Sequence, residues 1–177
     1  MAQGQPGEAI PSLTSALQID PTNADNLNLL GTAYLETGDA SKAVTNLRSA
    51  VEFVPTGWCD PYRSLTQAYT KLSNTPEATW ASAMVDLCQQ QLAKAKQELD
   101  AIVGSQAATD AYLGLGMVAE SQRDPHAAAA AYRQVLARDP ANFNAQAGLA
   151  RANDVLTAPG AGASPAPSTG PSTGGDG

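Results

Sequence analysis

A pattern of small, large and turn-forming residues recurs along this chain with a period of about 34 residues. Ala9 recurs as Ala43 and Pro21 recurs as Pro55, with the same spacing in both pairs. Self-similarity with a period of this length predicts a solenoid, in which each repeat buries its apolar face only by stacking on its neighbours. The clearest copy of the pattern consists of Leu27, Leu30, Gly31, Tyr34, Gly38, Ala43, Leu47, Ala50 and Pro55, and a later copy consists of Tyr112, Leu115, Gly116, Ala119, Asp124, Ala128, Tyr132, Val135 and Pro140.

Each position of the pattern has a physical reason. A small residue such as Gly31 lets two helix backbones approach closely, while Tyr34 and Leu47 fill the space beside that contact. Gly38 can adopt the left-handed backbone that reverses the chain between two helices. Pro55 cannot continue a helix and therefore marks the end of a second helix. The repeating unit is predicted to be a pair of helices joined by a short turn.

With these positions the chain resembles the tetratricopeptide-repeat proteins over residues 8–156. The resemblance implies an all-α fold, a right-handed solenoid of antiparallel helix pairs with about three repeats and a terminal capping helix. The expected domain covers residues 1–156 and divides into a half-repeat (6–22), a repeat (24–57), an extended irregular repeat (58–106), a repeat (109–142) and the capping helix (142–156).

The middle of the chain departs from the regular period. The stretch from Pro55 to Pro140 is longer than two regular repeats by about half a repeat. Since no Gly or Pro interrupts the stretch that follows Pro76, we predict one long helix over residues 77–103, about 40 Å in length at about 1.5 Å per residue. The alternative is a break near residues 89–91 followed by an additional helix.

The two ends of the chain carry separate expectations. Residues 6–22 supply a second helix with no first helix before it. We expect the natural product to begin further upstream, in which case this sequence would not show an upstream signal or membrane anchor. The alternative is that this helix docks elsewhere. Residues 157–177 are rich in Pro, Gly, Ser and Thr. Because such a segment cannot bury enough apolar area to offset its ordering entropy, we predict a disordered tail.

The composition narrows the possible partners and locations. The net charge is −7, which disfavours a nucleic-acid partner because such binding requires a basic stripe. No apolar run approaches the length of a membrane span, and the N-terminus does not resemble a signal peptide, so the expected location is the cytoplasm. The Ala-rich composition with a Pro- and Thr-containing tail is typical of bacterial proteins from GC-rich genomes.

No group of residues in the sequence predicts catalysis, a cofactor or a metal site. The single His, His126, follows Pro125 at the start of a helix without a second His or a carboxylate pair, so we expect an exposed structural position. Gly114 and Gly116 belong to the repeat pattern, since no strand precedes them as it would in a phosphate-binding loop. The chain is therefore expected to be non-catalytic.

The two cysteines, Cys59 and Cys88, are too few for a structural zinc site. The interpretation that we favour is two unrelated reduced thiols, with Cys88 as a small core residue. The alternative is a disulfide, because the start of the first helix of a hairpin lies near the end of the second. A disulfide would indicate an exported protein.

The resemblance implies that the first helices of the repeats line a concave groove and contact an extended or helical peptide. In the family, a clamp for a C-terminal carboxylate requires cations at the positions that Asn28 and Leu113 occupy here, so binding of chaperone tails is not predicted. The groove residues expected by position are Asp25, Asn28, Thr32, Glu36, Arg63, Gln67, Lys71, Asp110, Leu113 and Met117.

We therefore predict a non-catalytic protein–protein interaction scaffold that uses no cofactor and binds a peptide or helix in its concave groove. A protein partner is expected, with neither a nucleic-acid partner nor a membrane span in this chain. The alternative is a self-assembling structural subunit, a homo-oligomer that forms through the N-terminal half-repeat or the helix 77–103.

Overall fold

The computed structural model describes residues 6–53 and 57–158, which form a series of antiparallel helices. Within these ranges there are nine α-helices and no strand. Because each helix contacts the next along the whole series, the chain is an all-α helical solenoid. The helices are α1 (Pro6–Ile19), α2 (Ala24–Glu36), α3 (Ala40–Phe53), α4 (Asp60–Lys71), α5 (Thr75–Cys88), α6 (Leu92–Ile102), α7 (Ala108–Ser121), α8 (Pro125–Leu136) and α9 (Phe143–Thr157).

The loops that precede α2 and α9 use the same short motif, Asp-Pro-x-Asn. The Asp carboxylate accepts a hydrogen bond from the backbone N–H of the motif's third residue, at 3.3 Å for Asp20 and 3.2 Å for Asp139. The Asn side chain then accepts a backbone N–H of the first helical turn, at 3.0 Å for both Asn23 and Asn142. These Asn residues cap their helices, a position at which Asn is strongly preferred.

Of the predicted tail, only Thr157 and Ala158 fall in the described ranges. Thr157 is the last residue of α9, and Ala158 follows it. The remainder of that segment, residues 159–177, lies outside the described residues.

Four turns between consecutive helices share one backbone geometry. Each contains one residue with a positive φ angle, which is 92° at Gly38, 57° at Ser73, 62° at Gln90 and 59° at Arg123. In each turn the N–H of the following residue donates a hydrogen bond of 2.8–2.9 Å to a carbonyl in the last turn of the preceding helix. This Schellman arrangement satisfies carbonyl groups at the end of that helix. The chain therefore reverses direction in the same way at all four positions.

The prediction of one long helix over residues 77–103 is wrong. The chain turns at Gln90, so α5 ends at Cys88 and α6 begins at Leu92. The alternative, a break near residues 89–91, is the correct one. A long helix is therefore not present in this stretch as a surface for self-association.

Packing explains why the chain turns here without Gly or Pro. A non-Gly residue in the left-handed region costs of order 1–2 kcal/mol. The turn allows Ala95, Leu99 and Ile102 of α6 to be buried in the core, where each large apolar side chain contributes about 1.5–3 kcal/mol. Lys94 of α6 also forms an ion pair of 3.0 Å with the buried carboxylate of Asp86 on α5. Burial therefore outweighs the strain of the backbone.

Helix α5 pairs with α4 before it and with α6 after it, and it also contacts α7. The turn at Gln90 follows the turn at Ser73 by about half a repeat and precedes the turn at Arg123 by about one repeat. The additional half-repeat of the irregular region thus corresponds to one helix and one turn. Contacts between alternate helices form two rows, α2 with α4, and α5 with α7 and α9. Helix α5 is the second helix of its pair with α4 and also begins the second row.

Cys59 and Cys88 form a disulfide between the residue before α4 and the end of α5, with Cα atoms 5.8 Å apart. The favoured interpretation as two unrelated thiols is therefore wrong, and the alternative is correct. The pairing follows from the antiparallel arrangement of α4 and α5, which brings the start of one helix to the end of the other. In the chain-entropy account, closing a loop of this length stabilises a fold by about 3–4 kcal/mol.

Tyr132 of α8 is buried between glycines of the two neighbouring helices, and only 1% of its surface is exposed. A Cβ atom added to Gly116 of α7 or to Gly148 of α9 would overlap the Tyr132 ring. Gly31 and Leu47 have the same relation in α2 and α3, where an added Cβ would lie 2.5 Å from Leu47. The small residues of the repeat pattern therefore leave space for a large side chain of the next helix.

Substitution of either glycine beside Tyr132 is expected to destabilise the fold. Because the added methyl group forces the ring to move, Gly116→Ala and Gly148→Ala should each lower the free energy of unfolding by about 1–3 kcal/mol. Urea denaturation followed by circular dichroism measures the change. Gly104→Ala is the matched control, since a Cβ there meets no atom within 4 Å. Equal stability of Gly116→Ala and Gly104→Ala would contradict the close packing of Tyr132.

Candidate functional site

A cavity of about 450 Å³ is lined by the row of helices α5, α7 and α9, with further side chains from α3, α4 and α8. We call it the central cavity. Its middle consists of Met84 and Leu87 of α5 together with Leu113, Gly114 and Met117 of α7. Gly114 lets α7 lie close to α6, because an added Cβ would come within 3.0 Å of Leu99. The middle of the central cavity is therefore apolar, and its volume is in the range of ligand pockets.

An ion pair between Arg48 of α3 and Asp110 of α7 forms one end of the central cavity. The guanidinium donates two hydrogen bonds to the carboxylate, at 2.7 Å and 3.3 Å. The same guanidinium lies over the ring of Trp80, at 4.7 Å from its centroid. Tyr62 meets Trp80 edge to face, with ring centroids 5.8 Å apart. This end thus joins helices from both rows of the solenoid through one charged and aromatic cluster.

The cluster shifts the pKa values of its members. Burial raises the pKa of the Tyr62 hydroxyl to about 12, although the charge of Arg48 acts in the opposite direction. For Arg48, burial acts to lower the pKa, but the hydrogen bonds and charge of Asp110 raise it above its ordinary value. At neutral pH this end of the cavity therefore contains a neutral phenol and a closed ion pair.

A second ion pair forms the other end of the central cavity. Arg151 of α9 donates hydrogen bonds of 3.0 Å and 3.1 Å to the two carboxylate oxygens of Glu120 on α7. The hydroxyl of Tyr132 is buried beside this pair and has no hydrogen-bond partner among the residues described. Burial raises the pKa of Tyr132 above its ordinary value, and Glu120 adds to the effect. The second end is therefore polar, with a protonated hydroxyl buried beside the ion pair.

Three of the predicted groove residues line the central cavity, namely Asp110, Leu113 and Met117. The other seven are not part of its lining. On α4, Tyr62 lines the cavity, whereas the neighbouring residue Arg63 pairs with Asp60 at 2.8 Å. Asn28 and Thr32 are partly buried, whereas the other five are exposed, namely Asp25, Glu36, Arg63, Gln67 and Lys71.

Sequence reasoning missed the lining residues of α5, because it treated that helix as part of one long helix over residues 77–103. The signal that could have found them is the spacing of α6. Ala95 and Leu99 recur as Ala128 and Tyr132, which lie nearly one full repeat later. A second helix at α6 requires a first helix before it, and α5 then provides Trp80, Met84 and Leu87.

Other sites receive little support from the structure. His126 is exposed near the start of α8, as predicted. In the two described ranges, no three His, Cys, Asp or Glu side chains are grouped so that they could hold a metal ion. No helix of the described chain is both long and apolar enough to cross a membrane.

Two models of the tetratricopeptide repeat match this chain, one over residues 1–57 and the other over residues 113–156. The chain belongs to the tetratricopeptide-repeat family. The match explains both the period of the sequence pattern and the helical solenoid. Repeats of this family generally mediate protein–protein interactions.

Two individual proteins and one solved structure are also similar to this chain. The chain is 40% identical over 52 residues to cellulose synthase operon protein C of Escherichia coli K12 and to the putative cellulose synthase operon protein C of Escherichia coli O157:H7. The match covers 29% of this chain and only 4% of either relative. The crystal structure of MamA aligns with a TM-score of 0.36 and 22% identity, over 82% of this chain and 75% of MamA.

The free energy of unfolding is expected to fall between about pH 10 and about pH 12, because a buried tyrosine ionises at a lower pH in the unfolded chain than in the folded one. The pKa of Tyr62 is raised in the folded state, from 10.0 to about 12. Its contribution is therefore fully present below the unfolded pKa and is lost as the pH rises through the folded pKa. Tyr62→Phe removes this ionisation and should reduce the fall by about 1–3 kcal/mol. Urea denaturation on both sides of this interval measures the fall, and an identical fall in the variant would contradict the assignment to Tyr62.

Proposed function

We propose that this chain is a non-catalytic protein-interaction scaffold that binds a peptide or helix of a partner protein in its concave groove. The central cavity is the main contact in this proposal. The observation that carries it is the arrangement of an apolar middle between two ion-paired ends. Apolar side chains of a peptide would be buried in the middle, while its polar groups would meet those at the ends.

The predicted residues Asp110, Leu113 and Met117 form the centre of the proposed site. We add Trp80 and Met84, because α5 continues the same row of helices. Methionine is well suited to such a surface, since its unbranched side chain adapts to different partners. The seven remaining groove residues, on α2 and α4, stay predictions for a longer partner that extends beyond the central cavity.

The proposal includes no catalytic role. Members of the family are typically non-catalytic scaffolds. In the central cavity, both guanidinium groups are held in ion pairs, and burial raises the pKa of Tyr62 and of Tyr132. These groups are therefore suited to hold a partner rather than to transfer a proton at neutral pH.

We also propose that the chain works in an oxidising compartment, rather than in the cytoplasm that its sequence favours. The disulfide between Cys59 and Cys88 supports this location, because disulfides persist in oxidising compartments and are rare in cytosolic proteins. Alkylation of free thiols in intact cells, followed by mass spectrometry, tests it. Both cysteines should escape alkylation unless a reductant is added first. Complete alkylation without the reductant would contradict the proposed location.

Methionine labelling tests the binding site directly. The chain has three methionines, and Met84 and Met117 line the central cavity. We expect that a peptide selected from a displayed random library will shift the carbon-13 methyl resonances of Met84 and Met117. Met117→Arg should weaken the binding at least about tenfold, because it puts a charge in the apolar middle of the cavity.

The matched control is Leu29→Arg. Leu29 is 53% exposed on α2 and does not line the central cavity, so this variant should bind the peptide as tightly as the wild type. A peptide that binds without shifting either methyl resonance, or that binds Met117→Arg as tightly as the wild type, would contradict the proposed site.

A further inference from the structure

The central cavity has an excess of negative charge. Its charged lining consists of three carboxylates, on Glu52, Asp110 and Glu120, and two guanidinium groups, on Arg48 and Arg151. Each guanidinium is already bound by two hydrogen bonds to one carboxylate. Glu52 is exposed and forms no ion pair with any other residue of the described ranges. The lining therefore offers one free carboxylate and no free cation, among the residues described.

An anionic partner would meet an unfavourable field in this cavity. Its carboxylate would either share a guanidinium with Asp110 or Glu120, which brings two carboxylates together, or displace one of them. The displaced side chain is 24% exposed for Asp110 and 29% exposed for Glu120, so it would be left partly buried without its cation. The net charge of −7 adds a repulsion over a longer range.

The position of Glu52 indicates where a cation of the partner would lie. Glu52 follows Arg48 by one helical turn on α3, so the two side chains share one face of the helix. Burial acts to lower the pKa of Arg48, and Asp110 acts more strongly than Glu52 to raise it, but the charge of Glu52 also contributes to raising it. A Lys or Arg of the partner could pair with Glu52 and leave the bonds between Arg48 and Asp110 intact.

We infer that the central cavity binds a basic amphipathic segment, whose apolar side chains enter the middle and whose Lys or Arg pairs with Glu52. This inference rests on the proposed function and adds the charge of the partner to it. Helix α7 sets the scale of the contact, because Asp110 lies near its start and Glu120 near its end. Their separation is roughly 15 Å along a helix, the length of about four or five residues of extended chain.

Three versions of one peptide test the inference. Each version keeps the apolar residues of a selected binding peptide. All charged positions are changed to Lys in the first version, to Gln in the second and to Glu in the third. Fluorescence anisotropy then measures the affinity of each version at low and high salt. We expect the Lys version to bind about tenfold more tightly than the Glu version at low salt, and the difference to narrow at high salt. Glu52→Lys should remove or reverse this order, whereas Glu8→Lys, at an exposed site on α1 outside both the cavity and the predicted groove, should keep it.

The outcomes separate this inference from the proposed function. If the Glu version binds as tightly as the Lys version, or if Glu52→Lys keeps the wild-type order, the inference is wrong. If the inference is wrong but the peptides still shift the methyl resonances of Met84 and Met117, the proposed function stands without the inference. If no version shifts those resonances, the proposed function and the inference both fail.

Discussion

A single backbone turn, used four times, determines the arrangement of this solenoid. At Gly38, Ser73, Gln90 and Arg123 the chain adopts a positive φ angle. The next N–H then bonds to a carbonyl in the last turn of the preceding helix. Each turn directs the following helix back along the previous one, so that small residues of one helix face large residues of the next. The spacing of these turns decides which face of each helix is buried.

The turn at Gln90 changes the face that α5 contributes to the fold. Because α6 returns along α5, the latter contacts α7 and brings Trp80, Met84 and Leu87 to the central cavity. The ion pair of Arg48 with Asp110 then connects α3 to α7, which are far apart in sequence. The same additional half-repeat that makes this region irregular therefore also builds a wall of the cavity.

The regular repeats could be predicted because several independent signals agree in them. Helix α2 has an Asn cap, an apolar period and a Gly turn, and each signal alone would suggest the same bounds. The break at Gln90 has neither Gly nor Pro, so it depends on burial of α6 rather than on local preference. The same division applies to the site. Leu113 and Met117 lie on a helix of a regular repeat. The ion-pair partners of Arg48 and Arg151 depend instead on how helices that are not consecutive in the chain pack together.

The distance between Glu77 and Ala101 tests the reversal at Gln90 most directly. Gln106 donates a hydrogen bond of 3.2 Å to Glu77, so the chain just after α6 lies beside the start of α5. Spin labels at the two positions, introduced as noncanonical amino acids so that the cysteines stay paired, report the distance by pulsed electron resonance. Since antiparallel neighbours lie about 8–10 Å apart between axes, we predict a label distance below about 25 Å. A distance of about 36 Å, as in one continuous helix, would contradict the account.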